Sequence, residues 1–326
     1  MAMRPARYLA MFFLATAGAC LAGSIGWWGA SVLTCPPAAP GTFLAYCRNE
    51  LYGDFEHGAF LYGLESAAVQ RAKRADVVVI GDSRVQFGFS TGAVRRYFAD
   101  RRRMYYLLGM GYGSTSDYGR ALLQRHQLRP PVLIVNAEPY FTRDAPAVPA
   151  EVIRASLLTR WSYWRKGLFQ RAHRPACDVA PALCREAAGG VHRRIDNGEW
   201  LWEGLLAPGN LSVPFVEHEI AGEQAEESGR IAESFVAELG LDPSCVIVTA
   251  VPGLSAGRRR VATRIAEVMG GSAVLPVVEG LSSLDGDHLN AESAEKWSAA
   301  FLQSADALIT QCLSRSNPLN IGGLPK

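Results

Sequence analysis

The chain has 326 residues, of which 49% are hydrophobic and 20% are charged, and its formal net charge is +2. This length is sufficient for one large or two modest domains with a buried core. The near balance of charge gives no support to a nucleic-acid partner, so we expect none. Basic clusters such as Arg101-Arg102-Arg103 are interpreted as solvated helix ends and loops, with contact to lipid head groups or an anionic polymer as the alternative.

Residues 1–34 favour a cytoplasmic tip followed by a membrane anchor. Arg4 and Arg7 precede an uncharged run from Tyr8 to Leu33, which at about 1.5 Å per residue exceeds a hydrocarbon core of about 30 Å. Positive charge before the run predicts a single pass through the inner membrane, with the rest of the chain in the periplasm or outside the cell. A cleaved signal peptide competes with this interpretation, and a lipoprotein signal ending at Cys20 is a third possibility.

Beyond the anchor, residues 35–70 are predicted to form a stalk or linker, and residues 71–314 one catalytic domain, followed by a tail over 315–326. Strand-like and helix-like stretches alternate through the domain, which predicts a parallel sheet with helices on both faces. The predicted strands cover residues 76–80, 104–108, 132–136, 244–250 and 272–278. The predicted helices cover residues 91–98, 116–127, 217–239, 256–269 and 291–312.

Residues 140–215 interrupt this alternation with an insertion rich in aromatic and basic side chains, among them Trp161 and Trp164. An insertion after the carboxyl end of a strand lies over the ligand-binding edge of an open α/β sheet. We therefore predict a lid or a substrate-binding element. The alternative is a helical cap whose aromatic residues fill its own small core.

The cysteines favour an oxidising compartment. Apart from Cys20, six are present, and exported chains use cysteine in pairs. Six cysteines allow 15 pairings, of which we predict those that close two short loops and tie a strand to the last helix: Cys35–Cys47, Cys177–Cys184 and Cys245–Cys312. A zinc site is the alternative, but no C-x-x-C pair is present.

Two remote stretches carry candidate chemistry. The apolar run of residues 77–80 predicts a buried strand that leads into Gly81-Asp82-Ser83, so the serine is expected at the edge of the sheet where ligands bind. Asp285 and His288 stand just before the last predicted helix. Because histidine is the usual base for a serine nucleophile, we predict that the two stretches converge into an acyl-transfer site.

Two further motifs resemble functional sites. Asp54 and His57 have the same spacing as Asp285 and His288, but they precede the first strand of the predicted sheet and are interpreted as linker residues. The glycine cluster of residues 109–113 follows a strand as a dinucleotide fingerprint does, but its third glycine comes one residue early. No H-E-x-x-H or other metal spacing is present, and we expect neither a metal nor a cofactor.

Together these residues make the chain resemble the SGNH/GDSL hydrolase superfamily. Gly81-Asp82-Ser83 resembles its first block, Gly113 the glycine of the second, Asn136 the asparagine of the third, and the Asp285/His288 pair the last. The likeness covers about residues 75–312, and it implies a flavodoxin-like three-layer parallel sheet. Two positions depart from the family pattern: Glu138 stands in a Val-Asn-Ala-Glu segment where Gly-x-Asn-Asp is usual, and Leu108 replaces a frequent asparagine.

The resemblance implies a role for each matched residue. Ser83 would attack an ester carbonyl, His288 would take its proton, and Asp285 would hold the imidazole. The backbone N–H groups of Ser83 and Gly113 and the Asn136 amide would form the oxyanion hole. Side chains near this site are candidates for substrate binding: Arg84, Glu138, Trp161 and Trp164.

The implied function is that of a membrane-anchored serine acyltransferase or esterase. The architecture is similar to anchored periplasmic SGNH-like proteins of alginate O-acetylation and teichoic-acid D-alanyl transfer, which act with a multi-spanning membrane acyltransferase. We therefore expect action on O-acyl groups, O-acetyl above all, of a cell-surface polysaccharide through an acyl-serine intermediate. The alternative from another class is a non-catalytic assembly or glycan-binding subunit of such a complex.

Overall fold

The structure is a computed structural model. It describes residues 11–20, 22–23, 34–137, 139–143, 146–180, 189–201, 211–212, 222–253 and 259–316. The strands within these ranges are β1 (Thr42–Cys47), β2 (Gly53–Asp54), β3 (Val77–Gly81), β4 (Tyr105–Gly109), β5 (Val132–Asn136), β6 (Gly190–Arg194), β7 (Trp200–Leu201), β8 (Leu211–Ser212), β9 (Val246–Thr249), β10 (Ser272–Ala273) and β11 (Ser282–Ser283).

Ten helices lie in the described ranges from residue 34 onward, together with a 3₁₀ turn at Pro243–Cys245. They are α1 (Glu56–Leu61), α2 (Ser66–Arg74), α3 (Ser83–Phe89), α4 (Gly92–Asp100), α5 (Ser116–His126), α6 (Ala147–Arg154), α7 (Leu157–Val179), α8 (Gly222–Leu239), α9 (Arg259–Met269) and α10 (Ala291–Arg315). Residues 11–20 and 22–23 are also helical.

The central sheet has five parallel strands in the order β10-β9-β5-β3-β4. Strands β3, β4, β5 and β9 are buried along their whole length, as expected for aliphatic runs covered on both faces. Numbered by their order in the chain, the five strands are arranged 2-1-3-4-5, so the sheet grows in opposite directions from β3. The predicted parallel sheet is confirmed.

Helices cover both faces of this sheet and complete a mixed α/β architecture with three layers. Alternate residues of β3 point to opposite sides: Val78 and Ile80 pack in one hydrophobic cluster, Val77 and Val79 in the other. The first cluster includes side chains of α5, α8 and α9, and the second includes those of α3, α4 and α10. Trp297 and Phe301 of α10 stack on each other and contact Phe89 edge to face.

The last strand of the sheet is shorter than the sequence predicts. We expected a strand over residues 272–278, whereas β10 has two residues. Pro276 lies inside the expected strand and has no N–H to donate to a neighbouring strand. The helix α3, by contrast, was not among the predicted elements, and it begins directly at Ser83.

The region expected to be a stalk is packed into the domain. Strand β1 lies in a four-stranded antiparallel sheet with the order β2-β1-β6-β7, and Phe43, Tyr52 and Phe55 are at most 2% exposed. The expectation rested on proline and cysteine content, which does not reveal that β1 pairs with β6, far along the chain. Residues 42–61 therefore belong to the globular domain.

The insertion supplies the partners of that segment. Helix α7 contributes Tyr163 and Lys166, both less than 10% exposed, to the surroundings of Asp54, and β6 and β7 complete the small sheet. The aromatic residues of α7 agree in part with each prediction for the insertion. Tyr163 fills a core, as expected of a helical cap, whereas Trp161 and Trp164 are exposed, as expected of a lid or a substrate-binding element.

Two of the three predicted disulfides are present. Cys35 is bonded to Cys47 at the start of the small sheet. Cys245 is bonded to Cys312 and ties the amino end of β9 to α10. Cys184, the predicted partner of Cys177, lies outside the described residues. The two bonds are consistent with folding in an oxidising compartment.

Among the helices in the described ranges, none combines the length and the apolar character that crossing a lipid bilayer requires. The predicted anchor falls largely on residues 1–10 and 24–33, which are outside the description. Most of the predicted C-terminal tail, residues 317–326, is outside it as well.

Candidate active site

Ser83 stands where β3 turns into α3. Asp82 caps the helix by accepting a hydrogen bond from the Arg84 backbone N–H at 3.1 Å, and Ser83 is the first helical residue. The turn requires glycine at Gly81, since a Cβ there would lie 2.7 Å from Val85 and 2.9 Å from Asn136. The strand, the glycine and the cap together place a half-buried serine at the carboxyl edge of the sheet.

His288 reaches this edge from the opposite end of the chain. It lies between β11 and α10, in a loop in which Asp285 Oδ1 accepts the backbone N–H groups of Asp287 and His288 at 2.9 Å each. The imidazole packs against Phe87 of α3 with ring centroids 4.3 Å apart. These contacts fix both the loop and the ring plane.

The three expected side chains form one hydrogen-bonded chain. Ser83 Oγ lies 2.8 Å from His288 Nε2, and His288 Nδ1 lies 2.8 Å from Asp285 Oδ2. Partial burial raises the pKa of Asp285, but its hydrogen bonds to the His288 ring and to the loop N–H groups outweigh this and hold the pKa below its usual range. An ionised carboxylate here orients Nδ1–H and leaves Nε2 free to accept the serine proton.

Arg84 links the two converging segments. Its guanidinium donates to Asp82 Oδ2 at 3.0 Å and to Asp287 Oδ1 at 3.3 Å, and the residue is 9% exposed. We expected Arg84 to bind substrate, but the structure commits both ends of the guanidinium to carboxylates of the protein. Its position favours holding the Asp285 loop against the Ser83 turn.

Asn136 is placed differently from the expectation. Its side chain is fully buried, where Nδ2 donates to Asp82 Oδ1 at 3.3 Å and Oδ1 accepts the Val251 backbone N–H at 2.9 Å. Both groups of the amide thus contact the protein, and the bond to Asp82 ties Asn136 to the residue that caps α3. Glu138, the other residue of the third block, lies outside the described residues.

Gly113 lies in the loop after β4, at the same edge of the sheet as Ser83. Strands β3 and β4 are in register up to Gly81 and Gly109, so the loop of residues 110–115 begins level with the Ser83 turn. Gly113 is exposed and has a φ of +61°, a left-handed conformation that favours glycine. The preceding residue, Tyr112, also has a positive φ of 53°.

The start of this loop is held from below by Glu56 and Arg193, a buried ion pair that sequence analysis missed. Glu56 accepts the Gly111 backbone N–H at 2.8 Å and the Arg193 guanidinium at 2.7 Å. Arg193 also donates to the carbonyl oxygens of Leu107 and Gly109. Both members of the pair are at most 1% exposed. The sequence offers one weak sign, since Arg193 is two residues from Val191 and would share its face of a strand; the structure shows that this face of β6 is the buried one.

The second Asp-x-x-His motif is buried beside this pair and is not in a linker. Asp54 Oδ1 lies 2.9 Å from His57 Nδ1, and both residues are at most 6% exposed. Burial opposes charge on both groups, but their mutual attraction and hydrogen bond lower the pKa of Asp54 and raise that of His57. Asp54, Glu56 and His57 offer ligand atoms within 4.8 Å of one another. Because Arg193 and Lys166 already balance the carboxylates, we assign the cluster a structural role.

Trp161 and Trp164, the remaining candidates for substrate binding, stack on each other with centroids 4.9 Å apart on the outer face of α7. None of their described contacts joins them to Ser83 or His288. A cavity of about 420 Å³ elsewhere is lined in part by Arg120, Arg143 and Arg230, which pair with the acidic residues Asp117, Glu227 and Glu238. Ser83, His288 and Asp285 are not among the residues that line this cavity.

No family model, no curated protein and no solved structure matches this chain.

Proposed function

We propose that the protein is a serine acyltransferase or esterase of the SGNH/GDSL type that forms an acyl-serine intermediate. The observation that carries this proposal is the continuous chain from Ser83 Oγ through His288 to Asp285, with both links at 2.8 Å. Serine becomes nucleophilic when an adjacent base removes its proton and a third group orients that base. All three elements are present at one edge of the sheet.

The reaction follows from the geometry. Ser83 Oγ attacks the acyl carbonyl while His288 Nε2 takes the hydroxyl proton, and Asp285 stabilises the imidazolium through Nδ1. The proton then passes to the leaving alcohol, and the acyl group remains on Ser83. Water or a sugar hydroxyl then attacks the acyl-serine while His288 takes its proton and returns it to Ser83 Oγ, which gives hydrolysis or transfer.

The oxyanion is assigned to backbone donors. Ser83 opens α3, and the first N–H groups of a helix have no acceptor within the helix. The Gly113 N–H, in the loop beside it, is the second donor. Since Asn136 is fully buried and its amide donates to Asp82, we assign it the role of supporting the turn. Loss of one oxyanion donor costs on the order of 10²–10³ in rate.

The fold supports the same class. The strand order 2-1-3-4-5 is that of flavodoxin-like doubly wound sheets, in which ligands bind at the carboxyl edge where the order reverses. Here that point lies beside β3, and Ser83 follows β3 directly. The two disulfides support an extracytoplasmic location, where acylated cell-surface polysaccharides are the substrates that we propose.

A serine-directed fluorophosphonate probe tests whether Ser83 is an activated nucleophile. We expect it to label the full-length protein, to leave Ser83→Ala unlabelled and to label Ser304→Ala normally, because Ser304 is exposed on α10 with its hydroxyl bonded to the Ala300 carbonyl oxygen. Equal labelling of the wild type and Ser83→Ala would refute the proposal. Labelling of neither, with the fold intact, would favour the alternative of a non-catalytic assembly or glycan-binding subunit, which the displaced Asn136 also favours.

Transfer and hydrolysis are distinguished by the acceptor. The unlabelled wild-type protein and, in parallel, its Ser83→Ala variant are incubated with an O-acetylated donor, with and without a glycan, and acetylated glycan is measured by mass. Glycan acetylation that depends on Ser83 supports a transferase acting with a multi-spanning membrane acyltransferase, whereas free acetate alone supports an esterase.

A further inference from the structure

Helix α7 buries polar side chains beside Tyr163 and Cys177 and exposes large apolar ones. Its inner face buries Lys166 and His173, at 9% and 4% exposure, whereas Leu157 and Leu158 on the outer face are 84% and 82% exposed. A soluble domain normally turns the apolar side of a helix toward its core. The exposed leucines are therefore apolar surface that the described core does not cover.

The exposed apolar residues form a continuous stripe. Positions 157, 161, 164 and 168 follow the spacing of one helix face and extend over about 16 Å. We call this set, together with its neighbour at 158, the α7 stripe: Leu157, Leu158, Trp161, Trp164 and Leu168, each 39% or more exposed. Leucine offers no hydrogen-bonding group, and the two indole rings stack on each other, so the stripe matches a hydrocarbon surface better than a sugar.

The segment that carries the stripe is rich in basic residues, with acidic residues only at its two ends, Glu151 and Asp178. From residue 152 to residue 177 the chain contains no Asp or Glu, and its basic residues are Arg154, Arg160, Arg165, Lys166, Arg171 and Arg174. A basic helix with Trp and Leu on one face is typical of proteins that lie in the interface of a bilayer with anionic lipids, and Trp side chains prefer this interface.

Helix α7 is also attached to the segment that follows the predicted anchor. Arg174 donates to the Ala38 carbonyl oxygen at 2.9 Å, and Gln170 exchanges hydrogen bonds with the Leu44 backbone. Ala38 lies five residues after the uncharged run that ends at Leu33, a distance of at most about 18 Å along the chain. The anchor would therefore bring α7 close to the membrane surface.

From these observations we infer that the α7 stripe docks on the surface of an anionic lipid bilayer and sets the orientation of the domain on the membrane. The inference does not depend on the chemistry of Ser83. It changes the role of Trp161 and Trp164 from substrate contacts to lipid contacts.

Quenching of tryptophan emission by brominated lipid tests the docking. The full-length protein is reconstituted in vesicles of equal parts phosphatidylcholine and phosphatidylglycerol, with ordinary or brominated acyl chains. The chain has seven tryptophans, so a docked stripe adds up to two sevenths of the emission to the quenched fraction. This fraction should disappear in Trp161→Phe/Trp164→Phe and should fall in Leu157→Asp/Leu158→Asp.

Val277→Asp is the matched control, because Val277 is 64% exposed and lies outside α7. It should be quenched like the wild type. Equal quenching of Leu157→Asp/Leu158→Asp and the wild type, with unchanged circular dichroism, would overturn the inference. Protection of the two tryptophans from aqueous acrylamide that grows with the protein-to-lipid ratio would assign the stripe to a second copy of the chain and would also overturn it, as would protection produced by added glycan without a bilayer.

Discussion

The buried pair of Glu56 and Arg193 offers a sharp test of the structure, because the next residue provides its own control. Arg193 and Arg194 are adjacent on β6, and each faces a carboxylate: Arg193 Nη2 lies 2.7 Å from Glu56 and Arg194 Nη2 lies 2.7 Å from Asp196. The side chains of the first pair are at most 2% exposed, whereas those of the second are 40% and 52% exposed. The two ion pairs therefore have the same N–O distance but differ strongly in burial.

We expect Arg193→Met to destabilise the protein by about 3–5 kcal/mol, because removing one partner leaves the other charge buried without compensation. The carbonyl oxygens of Leu107, Gly109 and Gly198 each lose the Arg193 donor as well, although Gln86 still donates to Gly109 and Gly198. This loss moves the expected destabilisation toward the upper end of the range. For Arg194→Met we expect about 0–1 kcal/mol, the usual contribution of a solvated pair.

Urea unfolding monitored by circular dichroism measures both values, with all disulfides intact. Glu56→Gln/Arg193→Met completes a double-mutant cycle and should be less destabilised than the sum of the single changes, since no unpaired charge remains. Equal effects of Arg193→Met and Arg194→Met would refute the assignment of a buried ion pair beneath the loop of residues 109–113.

Three further predictions follow from other parts of the molecule. Asp285→Asn should slow fluorophosphonate labelling by about 10²–10⁴-fold with an unchanged unfolding midpoint, because the carboxylate is partly exposed and acts through His288; unaltered labelling would contradict its orienting role. Burial lowers the pKa of Lys166 to about 8, against the attraction of Asp54, so between about pH 8 and 10.5 the unfolded chain holds a proton that the folded chain has released, and stability rises with pH. Relative to Lys166→Met, the wild type should gain up to about 3 kcal/mol of unfolding free energy across this pH range in urea titrations. A difference between the two proteins that does not change with pH would show that burial does not lower the pKa of Lys166. Replacing both cysteines of Cys245–Cys312, which are 67 residues apart, should cost about 4 kcal/mol of unfolding free energy, against about 3 kcal/mol for Cys35–Cys47, which are 12 apart; calorimetry that finds the reverse order would contradict the chain-entropy explanation.

Local pattern determined much of the central sheet. The strands at residues 77–81, 105–109 and 132–136 are aliphatic or aromatic runs long enough to define a buried strand without any knowledge of their neighbours. The turn at Ser83 was also predictable, since a glycine, a capping aspartate and a serine directly follow such a run. Two of the disulfides were anticipated from their spacing and from the elements that they join.

The partner of each functional side chain was decided by the tertiary structure. Ser83 and His288 are 205 positions apart, and only the sheet and the final loop fix the distance between them. Asn136 has the expected place in the chain, but packing turned its amide toward Asp82. Arg193 and Arg194 are chemically identical, and the pairing of β6 with β1 sent one into the core and the other into solvent. Backbone conformation depends on near neighbours, whereas burial and side-chain partners depend on segments that the fold alone brings together.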